Sequence, residues 1–240
     1  VFKLPELAKG EFQGFTPETI KFLQELRINN NRDWFESNKN IYLNELYSPF
    51  QKFVTDISEY MMAIDPYFMS APVTGKTISR IYKDARYSQG KPPYKTAMWF
   101  TFKRPIPDWK DSPAYFFEIT ADFYRYGMGF MCAERDTMDK FREFIDNDTD
   151  KFKKAISFYD HPKNKGKNKF ELYGAAYKKI IKPDQPQSIQ KWYQLRELYL
   201  MNVREFDDVL FKRSLLDLVS EGFIRLAEFY NYLWKVKESK

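Results

Sequence analysis

Residues 114–131 read AYFFEITADFYRYGMGFM, and this stretch decides the fold. Two runs rich in aromatic residues, Ala114 to Thr120 and Tyr124 to Met131, stand on either side of Ala121-Asp122-Phe123. Such runs favour a pleated surface, and the short break predicts two strands paired antiparallel. Gly127 and Gly129 flank Met128 and mark either a bulge or a close backbone approach. Working outward toward the N-terminus, Ala97 to Lys103 and Thr77 to Lys83 share this character, with Pro and Gly clusters between them. The expectation is a central antiparallel sheet of about four strands within residues 77–131.

The flanks read as helices. Thr16-Pro17-Glu18 offers a cap, a residue pre-set for the first turn and a charge suited to the positive end of the dipole. Ile20, Leu23 and Leu26 follow at helical spacing, and Asn29-Asn30-Asn31 breaks the run. A second helix is expected from Arg32, with Trp34, Phe35, Ile41 and Tyr42 on its apolar side. Ser48-Pro49 repeats the cap-then-proline device before the stripe Phe50, Phe53, Val54, Ile57, Met61. Beyond Ala133, Met138, Phe141, Phe144 and Ile145 predict one helix, and Phe152, Ile156 and Tyr159 a shorter one. Lys212 to about Val236 forms a long amphipathic pattern. Helices, then strands, then helices indicate an α+β fold. It is read as one domain over 1–240, helical over 12–64 and 134–236, with the sheet in 76–131.

Composition narrows the chemistry. Of 240 residues 43% are hydrophobic and 19% aromatic, which excludes a disordered chain. With 39 basic and 33 acidic residues the net charge is +6, a mild attraction for anions. The run Lys163 to Lys169 reads as a solvated loop or an anion-binding arm. One cysteine (Cys132) and one histidine (His161) exclude an internal disulfide and a Cys/His zinc site. There is no glycine-rich phosphate loop or dinucleotide fingerprint. No metal or cofactor is therefore expected. No stretch is apolar enough to span a bilayer, and the first residues lack a signal-peptide core. These features read as a soluble, cytoplasmic protein without a membrane partner.

The densest chemistry lies in residues 80–96, RIYKDARYSQGKPPYKT. In an extended chain Arg80, Tyr82, Asp84 and Arg86 face one way, at roughly 7 Å spacing, and Ile81 and Ala85 face the other. Asp84 then reaches between two guanidiniums, whose planar donors match phosphate or carboxylate oxygens. Ser88-Gln89-Gly90 gives a turn, and Pro92-Pro93 delivers Lys91, Tyr94 and Lys95 on a restricted path. Two readings stay open. The segment holds an anion through Arg80, Asp84, Arg86, Lys91, Tyr94 and Lys95, or it is an ion network that fixes register. Arg32, Asp33 and Trp34 form a secondary candidate. Against it, Asp33 serves a first helical turn while Trp34 and Phe35 enter the core.

The pattern Arg80, Asp84, Arg86-Tyr87, Lys91, Pro93-Tyr94-Lys95-Thr96 resembles the hallmark of the domain of unknown function 2461 family. Gly14-Phe15, Asn30 with Arg32-Asp33-Trp34-Phe35, and the region Tyr115 to Met131 are similar to other parts of it. The resemblance runs from about Phe12 to at least Asp208. It implies an α+β fold and a cytoplasmic bacterial protein, and no established activity. Members often carry Trp-His-Pro after the glycine run, where this chain has Met131-Cys132-Ala133. The resemblance therefore lends no support to histidine-dependent activity here.

Three functions fit the sequence. The first is a site for a small anionic ligand, with no reaction specified. The second is a non-catalytic interaction or structural module whose charged motif fixes register. The third is a nucleic-acid binding module resting on the basic balance and the Lys163 to Lys169 loop. The sequence specifies neither the ligand nor the oligomeric state.

Overall fold

Thr120 makes the turn at the centre of the deciding stretch. Its hydroxyl accepts from the amides of Asp122 (3.1 Å) and Phe123 (3.0 Å), and its own amide donates to Phe123 O (2.9 Å). A hydroxyl closing a turn on its own backbone is a local device that needs no distant partner. It joins β2 (Pro113–Thr120) to β3 (Tyr124–Phe130). With β1 (Ala97–Phe102), β4 (Glu171–Tyr173) and β5 (Tyr199–Arg204) they form an antiparallel sheet of order β1-β2-β3-β5-β4. The α+β reading holds. The computed structural model describes residues 11–84, 86 and 90–239. Ala85, Tyr87, Ser88 and Gln89, read above as part of a strand and a turn, lie outside the described residues, as do residues 1–10.

The sheet differs from the expected 77–131 range in two ways. Thr77 to Lys83 is no strand of it. Ile78 bridges Phe100 and Tyr82 bridges Tyr94, each as an isolated pair. Pro92 and Pro93 have no N–H, so a continuous ladder has no donors there. Conversely, β4 and β5 lie beyond residue 131. In β5 the buried face carries Leu200, Asn202 and Arg204. Two polar residues in three positions conceal the strand alternation. Asn202 Nδ2 donates to the carbonyls of Lys167 (2.8 Å) and Lys169 (2.7 Å). Arg204 reaches Asp207 at 2.6 Å, and Asp207 also accepts from the Tyr124 hydroxyl at 2.9 Å. Burial pushes the Asp207 carboxyl up, but Arg204 and Tyr124 outweigh it and hold the group below the usual aspartate range.

Gly127 and Gly129 mark a close backbone approach. A Cβ at Gly127 would overlap the Leu200 carbonyl oxygen, and one at Gly129 that of Leu198. Phe130 N donates to Leu198 O at 3.1 Å. From the other side, a Cβ at Gly174 (φ +145°) would overlap the carbonyl oxygen of Glu197.

The chain divides into two compact units. The first comprises the residues to Phe102, Phe116–Tyr126 and Val203–Glu221. There α1 (Pro17–Ile28) starts from Thr16, which forms a reciprocal capping box with Thr19. Asn31 caps α2 (Arg32–Ser37). A short α3 (Lys39–Ile41) and a π-helical turn (Tyr42–Tyr47) lead without a break into α4 (Ser48–Ile64). Ser48 has helical backbone angles and makes no side-chain cap, contrary to expectation, because the chain enters α4 already helical. Pro49 lacks the N–H that an α-helix would aim at the carbonyl of Glu45. That carbonyl takes the Thr19 hydroxyl instead, at 2.5 Å. Phe53 of α4 packs on Phe12 (4.4 Å), Phe100 (5.3 Å) and Phe117 (5.0 Å), all fully buried. Rings at these separations add specific geometry to a large apolar burial.

The second unit comprises Lys103–Tyr115, Gly127–Asn202 and the residues from Gly222. It holds α5 (Arg135–Asn147), α6 (Thr149–Ala155), α7 (Gln187–Tyr193) and the later part of α8 (Ser214–Glu238). Phe152, Trp192 and Phe229 form its aromatic centre, with Trp192 at 5.9 Å from Phe152 and 5.2 Å from Phe229. Asp111 is buried and accepts from Glu134 N (2.7 Å), the Thr137 hydroxyl (2.7 Å) and Lys237 Nζ (2.5 Å). That carboxylate ties the start of α5 to the end of α8.

Gly127→Ala is expected to lower stability by about 2–3 kcal/mol, because the new methyl must displace backbone rather than a side chain. Urea unfolding of both proteins measures this. An unchanged midpoint would show that the β3–β5 approach relaxes at no cost.

Candidate functional site

The charged ribbon of the first unit rests on aromatic rings. Tyr94 is 1% exposed and stacks on Phe35 of α2 at 4.1 Å. Asn30 holds it by the backbone: its Oδ1 accepts from Tyr94 N (3.0 Å) and its Nδ2 donates to Tyr94 O (3.1 Å). One side-chain amide thus supplies both bonds that a neighbouring strand would give. Across the ribbon, Lys83 N donates to Pro93 O (2.8 Å) and Lys95 N to Ile81 O (2.8 Å). Ile81 points into the core, whereas Tyr82, Asp84 and Arg86 are exposed.

The charges on this support are not arranged as a carboxylate between two arginines. Asp84 forks with Arg86, accepting from Nε (3.0 Å), Nη2 (2.6 Å) and the Arg86 amide (3.0 Å). These hydrogen bonds pull the Asp84 carboxyl down to about 2. Arg80 acts on it only through the field. The Arg80 guanidinium lies along Gly75, 3.3 Å from where a Cβ would stand. Lys95 reaches back, its Nζ donating to Arg80 O at 2.6 Å and lying 4.8 Å from the Trp99 ring centroid. Partial burial, then the like charge of Arg80, depresses the Lys95 ammonium below the usual lysine range. Among the described residues Arg80, Lys91 and Lys95 have no carboxylate in ion-pair contact. Lys91 is exposed.

Tyr94 contributes from below. Burial and the neighbouring Tyr82, to which its hydroxyl is hydrogen-bonded, raise its phenol. Tyr82, 50% exposed, therefore carries the accessible hydroxyl, and sequence reasoning did not select it. The structural role of Asn30 was missed as well. Its signal was the middle Asn of three at a helix break, which reads as turn chemistry. Of the secondary candidates, Arg32 and Asp33 are exposed, and Trp34 is partly buried against Phe22 (5.7 Å). Asn31 caps α2, accepting from Trp34 N at 3.0 Å, and Asp33 stands in its first turn as expected.

A family model described as "Conserved hypothetical protein (DUF2461)" matches residues 18–232. The chain belongs to this family. The matched span includes Asn30, the whole charged ribbon and the glycine contacts of β3. No curated protein matches the chain. Among the described residues no helix is long and apolar enough to cross a membrane. No group of three or more His, Cys, Asp or Glu among them is placed to hold a metal ion.

Two outcomes test the support and the fork. Asn30→Ala removes both bonds to Tyr94 and is expected to cost about 2 kcal/mol in urea unfolding. In carboxyl NMR, Asp84 should titrate at about 2, and Arg86→Gln should return it toward the ordinary aspartate range. The sign follows from the shift: the depressed carboxyl favours the folded form above the ordinary aspartate pKa, and this contribution is lost as pH falls toward 2. An Asp84 titration unmoved by Arg86→Gln would show that the fork is not the cause.

Proposed function

We propose that this DUF2461 protein binds a small anion, phosphate or carboxylate, on the ribbon 80–96. The observation that carries this reading is the pairing of like charges at Arg80 and Lys95. Lys95 bears a cost there that an anion would remove. Lys95 is partly desolvated beside a guanidinium, and Asp84, whose charge favours its ammonium, is already engaged by Arg86. Holding two cations together without a counter-charge is unfavourable, and a bound oxyanion converts that repulsion into two charge-assisted hydrogen bonds.

In this reading Arg80 presents its fork to two oxygens and Lys95 supplies a point charge. Asp84 orients Arg86, Lys91 adds charge, and the Tyr82 hydroxyl donates where Tyr94 cannot. The Asn30 clamp and the Phe35 stack favour a purely structural role for Tyr94 itself. No reaction is assigned, since the ribbon offers binding groups without a free general base.

Calorimetric titration with inorganic phosphate tests the proposal. Binding is expected to weaken about tenfold in Arg80→Gln and in Lys95→Gln, about 1.4 kcal/mol each. It should also take up protons when measured at alkaline pH, because the anion raises the depressed Lys95 ammonium. Phosphate affinity unchanged by both substitutions would overturn the reading and leave the ribbon a register-fixing element.

A further inference from the structure

The second unit contains a cleft of about 330 Å³ lined by Ala133, Arg135, Met138, Tyr177, Arg196 and Glu197. It uses none of the ribbon's residues. Its walls are fixed by backbone. Arg196 N donates to Ala175 O (2.6 Å), Tyr177 N to Gln194 O (3.0 Å), and Ala176 bridges Leu195. Gly174 allows the Glu197 carbonyl to lie against it, and the β3 glycines admit the carbonyls of Leu198 and Leu200. Arg142, 6% exposed, holds the carbonyls of Tyr193 (3.0 Å) and Leu195 (2.7 Å). The residues that present Arg196 and Glu197 are thus gripped from several sides, and a ligand there meets little ordering cost.

The lining has a definite chemical sense. The Tyr177 ring lies 5.1 Å from the Arg142 guanidinium and 5.6 Å from that of Arg196. Arg196 is exposed and has no ion pair among the described residues, and Arg135 is shared with Asp139 at 3.5 Å. One cationic fork is therefore open, one is partly engaged by Asp139, and the lining itself carries one carboxylate, Glu197. Met138 and the Tyr177 ring supply an apolar wall. Two full charges of one sign on a ligand would leave Glu197 opposed to them. A carboxylate carrying a neighbouring donor satisfies every group.

We propose that this cleft binds a small α-amino or α-hydroxy acid. The carboxylate lies on Arg196 with Arg135, the amino or hydroxyl group donates to Glu197, and the side chain rests on Met138 and Tyr177. A cleft of about 330 Å³ has room for a ligand of this size.

Saturation-transfer NMR on the full chain tests it with L-phenylalanine, 3-phenyllactate and phenethylamine. The two acids are expected to bind in the millimolar range or tighter and the amine, lacking a carboxylate, not to bind. Arg196→Gln should weaken both acids about tenfold. Glu197→Gln should weaken L-phenylalanine more than 3-phenyllactate, because an ammonium gains more from a carboxylate than a hydroxyl does. Both positions are at least partly exposed, so the variants keep the fold, and unfolding midpoints check this. The proposal is overturned by no transfer to either acid, by equal transfer to the amine, or by indifference to Arg196→Gln. Loss of acid binding in Arg80→Gln instead would move the site to the ribbon and overturn it equally.

Discussion

The approach of β3 to residues 198–200 is the constraint on which the second unit depends. Hydrogen-bonded strands normally leave room for a Cβ, yet here the carbonyls of Leu198 and Leu200 occupy that volume. Only glycine at 127 and 129 permits it. Gly174 repeats the arrangement against Glu197. The backbone leading into β5 is therefore placed by steric contact on both sides, and Arg196 and Glu197 inherit their positions from it. Glycine weakens a strand taken alone. Three of them tolerated around one short segment indicate that the position of that segment matters more than the intrinsic strength of the strands.

In the first unit, packing positions charge and not the reverse. The Asp84–Arg86 fork is exposed, and pairs of that kind contribute little to stability. The ribbon is held instead by the buried Tyr94 ring, its stack on Phe35 and the two hydrogen bonds of Asn30. The charged side chains ride on this apolar base. Cations can then be brought close together at a cost that the apolar base offsets, because the ring stack and the Asn30 bonds hold the backbone beneath them.

The parts of this architecture written in local patterns were legible in the sequence. Thr16-Pro17 capped α1, Ala121-Asp122-Phe123 turned between β2 and β3, and the paired glycines marked a close approach. What escaped notice depended on long-range satisfaction of polar groups. Asn202 and Arg204 on the inner face of β5 contradict an apolar alternation, and they are buried only because loop carbonyls and Asp207 await them. The ribbon was found from its charges, but its internal geometry was not. Period-two reasoning placed Asp84 between Arg80 and Arg86, whereas the carboxylate closes on the arginine whose own amide it also accepts. The cleft was invisible because Arg135, Tyr177 and Arg196 are brought together by pairing of 174–177 with 194–197, a contact between irregular segments.

The bond from Thr19 to the Glu45 carbonyl has a genetic meaning as well as a mechanical one. Pro49 has no N–H to offer the same carbonyl in an α-helical register. Beside a proline, loss of the Thr19 hydroxyl deprives a part-buried carbonyl of this donor. Beside any other residue at 49, the helix itself can supply one. The two sites, thirty positions apart in the chain, are therefore epistatic: the penalty for changing one is set by the occupant of the other, and their effects do not add.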